Sequence, residues 1–276
     1  MAPFAMTDTT WIQGSIGVLT AALLTAVARW VWPKKKLFAQ ANWALVLVSA
    51  LMVAIGLAQR SMAAGYFALS NMYESMLMLV LSVMAGYLYL DARLRQQKFN
   101  LAGWGWPLML LLLIALNFAL SLPTDIKPLQ AALQSYWRSI HVPIIISAYG
   151  FFTLAFIASL VHLVLHAQKK DTRLYDELTH KSVAIGFPLL AIGIILGGLW
   201  ANEAWGNYWS WDPKESMSLV TLLVYGAYLH LRVREGLTLT PATYAWVSIA
   251  GYVMMLVTYF GVNIMGLGLH SYGKIG

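Results

Sequence analysis

The run ANWALVLVSALMVAIGLAQ, residues 41–59, decides the fold class. It carries no charged side chain, and roughly 20 apolar residues rising 1.5 Å each cross a bilayer core as a helix. Comparable stretches recur at 14–32, 72–90, 101–120, 141–167, 183–200, 213–233 and 242–265. Hydrophobic residues make up 60% of the 276 and charged residues 11%, with a mean hydropathy of +0.67. A soluble domain carries about 25% charged residues. The apolar runs are continuous, where a transmembrane β-barrel alternates over segments of about ten residues. The sequence therefore predicts an all-α polytopic membrane bundle of about eight transmembrane helices, a single integral membrane domain over residues 1–276. The first thirteen residues lack a basic region of the kind that opens a signal peptide, so the first apolar run is expected to be retained.

The net charge of +7 does not point to nucleic acid, because Lys and Arg sit in short segments between apolar runs. They orient the bundle instead. Lys34, Lys35 and Lys36 follow the first span, Arg93, Arg95 and Lys98 the third, and Lys169, Lys170, Arg173 and Lys181 the fifth. Arg232 and Arg234 end the seventh. With Arg29, which can snorkel from the end of the first span, 13 of the 18 basic residues share one side. The positive-inside rule makes that side cytoplasmic. Both termini, and the segments near 60–71, 121–140 and 200–212, are then expected to be extracytoplasmic.

The densest local signal is residues 200–215, Trp-Ala-Asn-Glu-Ala-Trp-Gly-Asn-Tyr-Trp-Ser-Trp-Asp-Pro-Lys-Glu, read as an extracytoplasmic Trp-rich loop. Four of the twelve tryptophans, Trp200, Trp205, Trp209 and Trp211, fall within it, together with Tyr208. Tryptophan favours membrane interfaces in general, but this cluster is denser than a belt at helix ends. An aromatic, apolar platform suits a flat macrocycle such as haem. Asp212 and Glu215 have a second reading: Asp-Pro-x-Glu matches a helix N-cap, a proline at the first helical position and a capping-box glutamate.

The histidines divide by depth. His141, expected to open the fifth span, and His270, just beyond the eighth, fall on the side of the Trp-rich segment. Imidazole is a common axial ligand of haem iron, and two such ligands give a six-coordinate iron suited to holding haem. His230 lies roughly 22 Å along the helix from Glu215, and an ionisable residue at that depth is a functional candidate. His162 and His166, one turn apart near the inner end of the fifth span, and His180, in an inner loop, are expected to have no ligand role. Glu74, in Leu69-Ser-Asn-Met-Tyr-Glu-Ser75, forms a capping box with Asn71 and also stands where a carboxylate could line a site.

Together these residues resemble the haem-handling family defined by a tryptophan-rich "WWD" domain, and within it the cytochrome c assembly proteins of the CcsA/ResC type. The resemblance rests on Trp205-Gly-x-Tyr-Trp-Ser-Trp-Asp-Pro-Lys-Glu215, Leu69 to Ser75, Tyr136-Trp-x-x-Ile-His-Val142, Tyr228-Leu-His230, and Gly261-Val-Asn263 through Gly268-Leu-His-Ser-Tyr-Gly273. These run in family order from about residue 65 to the end, whereas the first 60 residues match only in being hydrophobic.

The resemblance implies that His141 and His270 ligate the iron of haem b, and that Trp205, Trp209, Trp211 and Asp212 form the core of the haem-holding loop. It implies that His230 ligates haem arriving from the cytoplasmic side, with a partner histidine in a second membrane subunit of the CcsB/ResB type. The implied activity is delivery of haem and its covalent attachment to the Cys-x-x-Cys-His thiols of apocytochrome c. The resemblance further implies a subunit of a holocytochrome c synthase of the haem-lyase type, working with a thioredoxin-like thiol reductant in the bacterial inner (cytoplasmic) membrane. The chain contains no cysteine, so it offers no thiol of its own to the haem vinyls. Two other readings predict different behaviour. A haem transporter or chaperone would hold haem without attaching it, and a permanent b-type haem protein would face paired histidines within the bundle.

Overall fold

The computed structural model describes residues 7–96, 104–233, 239–262 and 268. Eight α-helices follow in order: α1 Asp8–Val31, α2 Lys36–Ala64, α3 Met72–Gln96, α4 Gly105–Leu120, α5 Tyr136–Ala167, α6 Arg173–Trp205, α7 Pro213–Val233 and α8 Pro241–Leu256. A 3₁₀ turn, Ala131–Leu133, precedes α5, and a π turn, Val257–Gly261, continues α8. No strand occurs among the described residues. Seven of the helices are long and apolar enough to cross a membrane, and α4 is a shorter apolar helix of 16 residues. The protein is a multi-pass, all-α membrane protein.

The chain divides into two compact units, residues 1–128 and 129–275. In the first, α1 packs on α2 and α4, and α3 packs on α2 and α4. Because consecutive helices are neighbours joined by short connections, this is an up-and-down four-helix arrangement. Several of its interior polar groups are paired across helices. Ser15 and Ser49 share a 2.7 Å hydrogen bond across α1 and α2, and the Asn42 amide donates to the Ala22 carbonyl. At one end Asp91 sits fully buried between Arg29, at 2.9 Å, and Arg95, at 2.6 Å. Arg29 is thus itself buried in an ion pair. It does not snorkel as expected, because a carboxylate from α3 meets it inside the unit.

The other end of that unit is organised by Arg60, near the C-terminus of α2. Its guanidinium donates to Glu74 at 2.7 Å, to Asp8 at 3.0 Å and to the carbonyls of Thr124 and Asp125 at 2.7 and 3.3 Å. One buried cation therefore ties the starts of α1 and α3 to the end of α2 and to the segment after α4.

In the second unit α5 and α6 form a long antiparallel hairpin, and α8 packs on both α5 and α7. These two helices, of 32 and 33 residues, exceed the spans of 141–167 and 183–200 expected from hydropathy. At 1.5 Å per residue each is roughly 50 Å long against a core of about 30 Å. Loss of hydropathy ends a membrane span, but a helix ends only where caps end it. Ser135 caps α5, its side chain accepting from the Trp137 N–H, and Gly206, with φ 78°, closes α6 in the left-handed conformation.

A stripe of glycines on α6 lets the hairpin close. A Cβ at Gly186 would stand 2.7 Å from the Phe152 ring, one at Gly193 would stand 3.0 Å from Cβ of Ile145, and one at Gly197 would stand 2.8 Å from Cε1 of His141. Small residues in register allow this close approach where no hydrophobic effect drives helices together. Beneath the stripe Phe152 stacks on Tyr225 at 3.8 Å, and Phe156 stacks on Tyr252 at 4.2 Å.

Candidate functional site

The α5–α6 hairpin fixes His141 from three sides. Since α5 begins at Tyr136, His141 lies inside the helix and does not open it as expected. Its Nδ1 is 2.7 Å from the Gly193 carbonyl. A carbonyl only accepts, so Nδ1–H donates, and in the neutral ring Nε2 is then the nitrogen that bears the lone pair. The ring stacks on Trp200 with centroids 5.8 Å apart and planes 30° from parallel. Gly193, Gly197 and Trp200 follow one another at four and three residues, so one face of α6 presents all three to α5.

Trp200 is anchored in turn. Its indole N–H donates to the Ala132 carbonyl at 2.8 Å, and its ring meets Trp205 at 5.3 Å. The Ser135 hydroxyl donates to Glu203 at 2.8 Å, joining the start of α5 to the last turn of α6. Arg138, one turn before His141 and buried, donates through Nε to the Leu133 carbonyl at 2.7 Å.

The segment read as one Trp-rich loop over 200–215 is in fact three pieces. Trp200 and Trp205 belong to α6, residues 206–212 form the turn, and α7 starts at Pro213. Trp, Asn and Glu all tolerate a helix, so α6 persists until Gly206 stops it. The turn folds back onto α6 at Gly198, where a Cβ would stand 3.1 Å from the Tyr208 carbonyl. Trp209 and Trp211 meet edge to face at 5.7 Å. Tyr208 is 60% exposed and Trp211 69% exposed. Trp211 holds φ 59°, the left-handed region that a bulky side chain rarely adopts.

The capping box holds this turn. Asp212 accepts from the Lys214 N–H at 2.9 Å. Glu215, buried, accepts at Oε2 from the backbone N–H groups of Ser210 and Asp212, at 2.8 and 3.2 Å, and from the Ser210 hydroxyl at 3.3 Å. The backbone of Gly268, with φ 76°, lies directly against the Asp212 carboxylate and Pro213, leaving no room for a Cβ. Asp212 therefore carries the structural role expected of a cap and also packs against Gly268.

The other expected site residues fall elsewhere. His270 lies outside the described residues. His230 is exposed on the last turns of α7, roughly 22 Å along that helix from Glu215. Glu74 is fully buried, with Arg60 on one oxygen and the Ser70 N–H and hydroxyl on the other, so it stands in a charge lock with no exposed face. His162 is 1% exposed with neither ring nitrogen partnered, and its ring lies 6.1 Å from that of His166. Among the described residues no group of three or more His, Asp or Glu is placed to hold a bare metal ion. Gly193, Gly197, Ala132, Ser135 and Glu203 were not expected at the site. The glycine spacing on α6 was the one signal for them in the sequence.

Residues 69–270 match the family described as cytochrome C assembly protein. The chain belongs to that family. It is 34% identical to the cytochrome c biogenesis protein CcsA of Guillardia theta over 91% of this chain and 92% of that protein. It is 39% identical to the protein of the same name from Chlamydomonas reinhardtii, over 82% of this chain and 66% of that one. With the namesake from Mesostigma viride the identity is 32%, over 96% and 97%. Membership in a cytochrome c assembly family makes haem handling the chemistry to test against the site. The donor set fits it: an imidazole whose Nδ1 is held by a backbone carbonyl, beside indole faces and a turn that displays two aromatic rings.

Proposed function

We propose that this chain delivers haem b and takes part in its covalent attachment to apocytochrome c, at the extracytoplasmic face of a bacterial cytoplasmic membrane. The observation that carries this reading is His141, stacked on Trp200 at 5.8 Å beside an aromatic turn held in place by its own capping box. His141 and His270 are the axial ligands. Trp205, Trp209 and Trp211 supply the aromatic surface, with Trp200 behind His141 and Tyr208 at the exposed edge. Asp212 and Glu215 hold the turn. His230, exposed on α7, takes haem at an earlier stage, opposite a histidine from a CcsB/ResB-type subunit.

Each thioether forms when a substrate thiol adds its S–H across a haem vinyl C=C, so the bond-forming step has no leaving group and needs no external oxidant. What this chain contributes is placement, which can be worth several orders of magnitude in rate. With no cysteine here, the only thiols at the vinyls belong to the Cys-x-x-Cys-His substrate, and a thioredoxin-like partner keeps them reduced.

The test is co-expression with the second subunit and a Cys-x-x-Cys-His reporter, followed by detection of haem that survives denaturation on the reporter. His141→Ala and His270→Ala should each abolish it, and added imidazole should restore it. Covalent haem unaffected by both substitutions would remove the ligand pair. Haem bound to the purified protein with no reporter ever modified would favour a chaperone.

A further inference from the structure

We propose that α6 presets His141 as an Nε2 ligand, with Gly197 and Trp200 as positioning residues and the Gly193 carbonyl as the group that selects the tautomer. The proposal rests on the reading of His141 as an iron ligand and adds how the ring is prepared before haem arrives.

Three observations converge. The 2.7 Å contact from Nδ1 to the Gly193 carbonyl puts the proton on Nδ1. A histidine that ligates through one nitrogen characteristically donates its other N–H to a carbonyl or carboxylate, which fixes the tautomer and raises ligand basicity. The ring occupies a notch that exists only because residue 197 has no side chain, since a Cβ there would stand 2.8 Å from Cε1 and 3.1 Å from Nδ1. Trp200, one turn on, covers the ring face and is itself tied to Ala132. Rotation of the imidazole that would carry Nε2 elsewhere is opposed by the indole on its face and by the α6 backbone at its edge. All three devices lie on one helix at residues 193, 197 and 200, so α6 acts as a jig for a ligand on α5.

The arrangement predicts a signature in the protein without haem. In full-length protein labelled with ¹⁵N-histidine, one histidine should show Nδ1 protonated and Nε2 unprotonated at neutral pH, and that signal should vanish in His141→Ala. Gly197→Ala should lose or redistribute this pattern. Gly186→Ala, which crowds Phe152 on the same glycine stripe, should keep it and so controls for general damage to the hairpin. On titration with hemin, Gly197→Ala should lose affinity by about 10- to 100-fold, the range for removing an outer-shell partner of a ligating histidine. Imidazole should restore the six-coordinate spectrum, while Gly186→Ala should need none.

A wild-type His141 with its proton on Nε2 would overturn the proposal without any variant having to fold. So would Gly197→Ala keeping the wild-type tautomer and affinity, or Gly197→Ala and Gly186→Ala failing alike. The two ideas fail separately: His141→Ala binding hemin with an unchanged spectrum would remove the ligand role whatever the tautomer.

Discussion

Two helix starts in this molecule are written almost alike and do different work. Before α3 the sequence is Ser70-Asn-Met-Tyr-Glu74-Ser75, and before α7 it is Ser210-Trp-Asp-Pro-Lys-Glu215-Ser216. In both, a first-turn glutamate reaches back to accept the N–H and hydroxyl of the serine that leads in, while an Asn or Asp side chain accepts from the new helix. The difference lies in the other partners. Glu74 gives its second oxygen to Arg60, which also holds Asp8 and two carbonyls, so the first turn is sealed around a buried cation. Glu215 spends one oxygen on its own turn, which displays Tyr208 and Trp211 outward. The same capping chemistry serves a structural lock in one place and a presentation platform in the other.

The largest effect should come from breaking the lock. Arg60→Ala leaves Glu74 buried without its cation and should cost about 3–5 kcal/mol, read as loss of folded protein in detergent and a lowered melting temperature. Hemin affinity of whatever remains folded should be unchanged, and a matching fall in intrinsic affinity would blur the distinction drawn here. Glu215→Ala removes the acceptor for Ser210 and Asp212 and should cost about 1–2 kcal/mol. Its main readout is different: faster proteolysis within residues 206–212 and weaker hemin binding.

Trp211→Gly sharpens the comparison in the opposite direction. Relief of the left-handed strain should stabilise the fold by about 1 kcal/mol, while the lost ring weakens hemin binding. A variant destabilised in thermal unfolding would show that the φ of 59° is not strained. The smallest expected effects are those of Ser70→Ala and Ser210→Ala, each about 0.5–1 kcal/mol. Only the second should alter a haem titration.

Much of this was legible in the sequence, and the illegible part has a common cause. Hydropathy marked all eight helices, and residue spacing marked both capping boxes, because each is a local property of a few turns. Helix ends were misjudged where a helix leaves the apolar layer, as at Tyr136 and Trp205, since nothing in hydropathy distinguishes the end of a membrane span from the end of a helix. The partner of Arg29 is 62 residues away, and the carbonyl that orients His141 is 52 away. A lone histidine near the start of a span says nothing of which nitrogen carries its proton. That is decided by a glycine carbonyl on another helix.

One feature of α6 has a mechanical consequence. Near its start Asp176 grips Arg232 of α7 through two contacts, at 2.7 and 3.0 Å, and near its finish Gly193, Gly197 and Trp200 cradle His141. Between them stands Pro188, which cannot donate to the Ala184 carbonyl and so gives the rod a soft point. A bend at that joint would swing the two ends against each other while each grip stays closed. The helix that cradles the ligand ring thus carries a proline joint between its two grips.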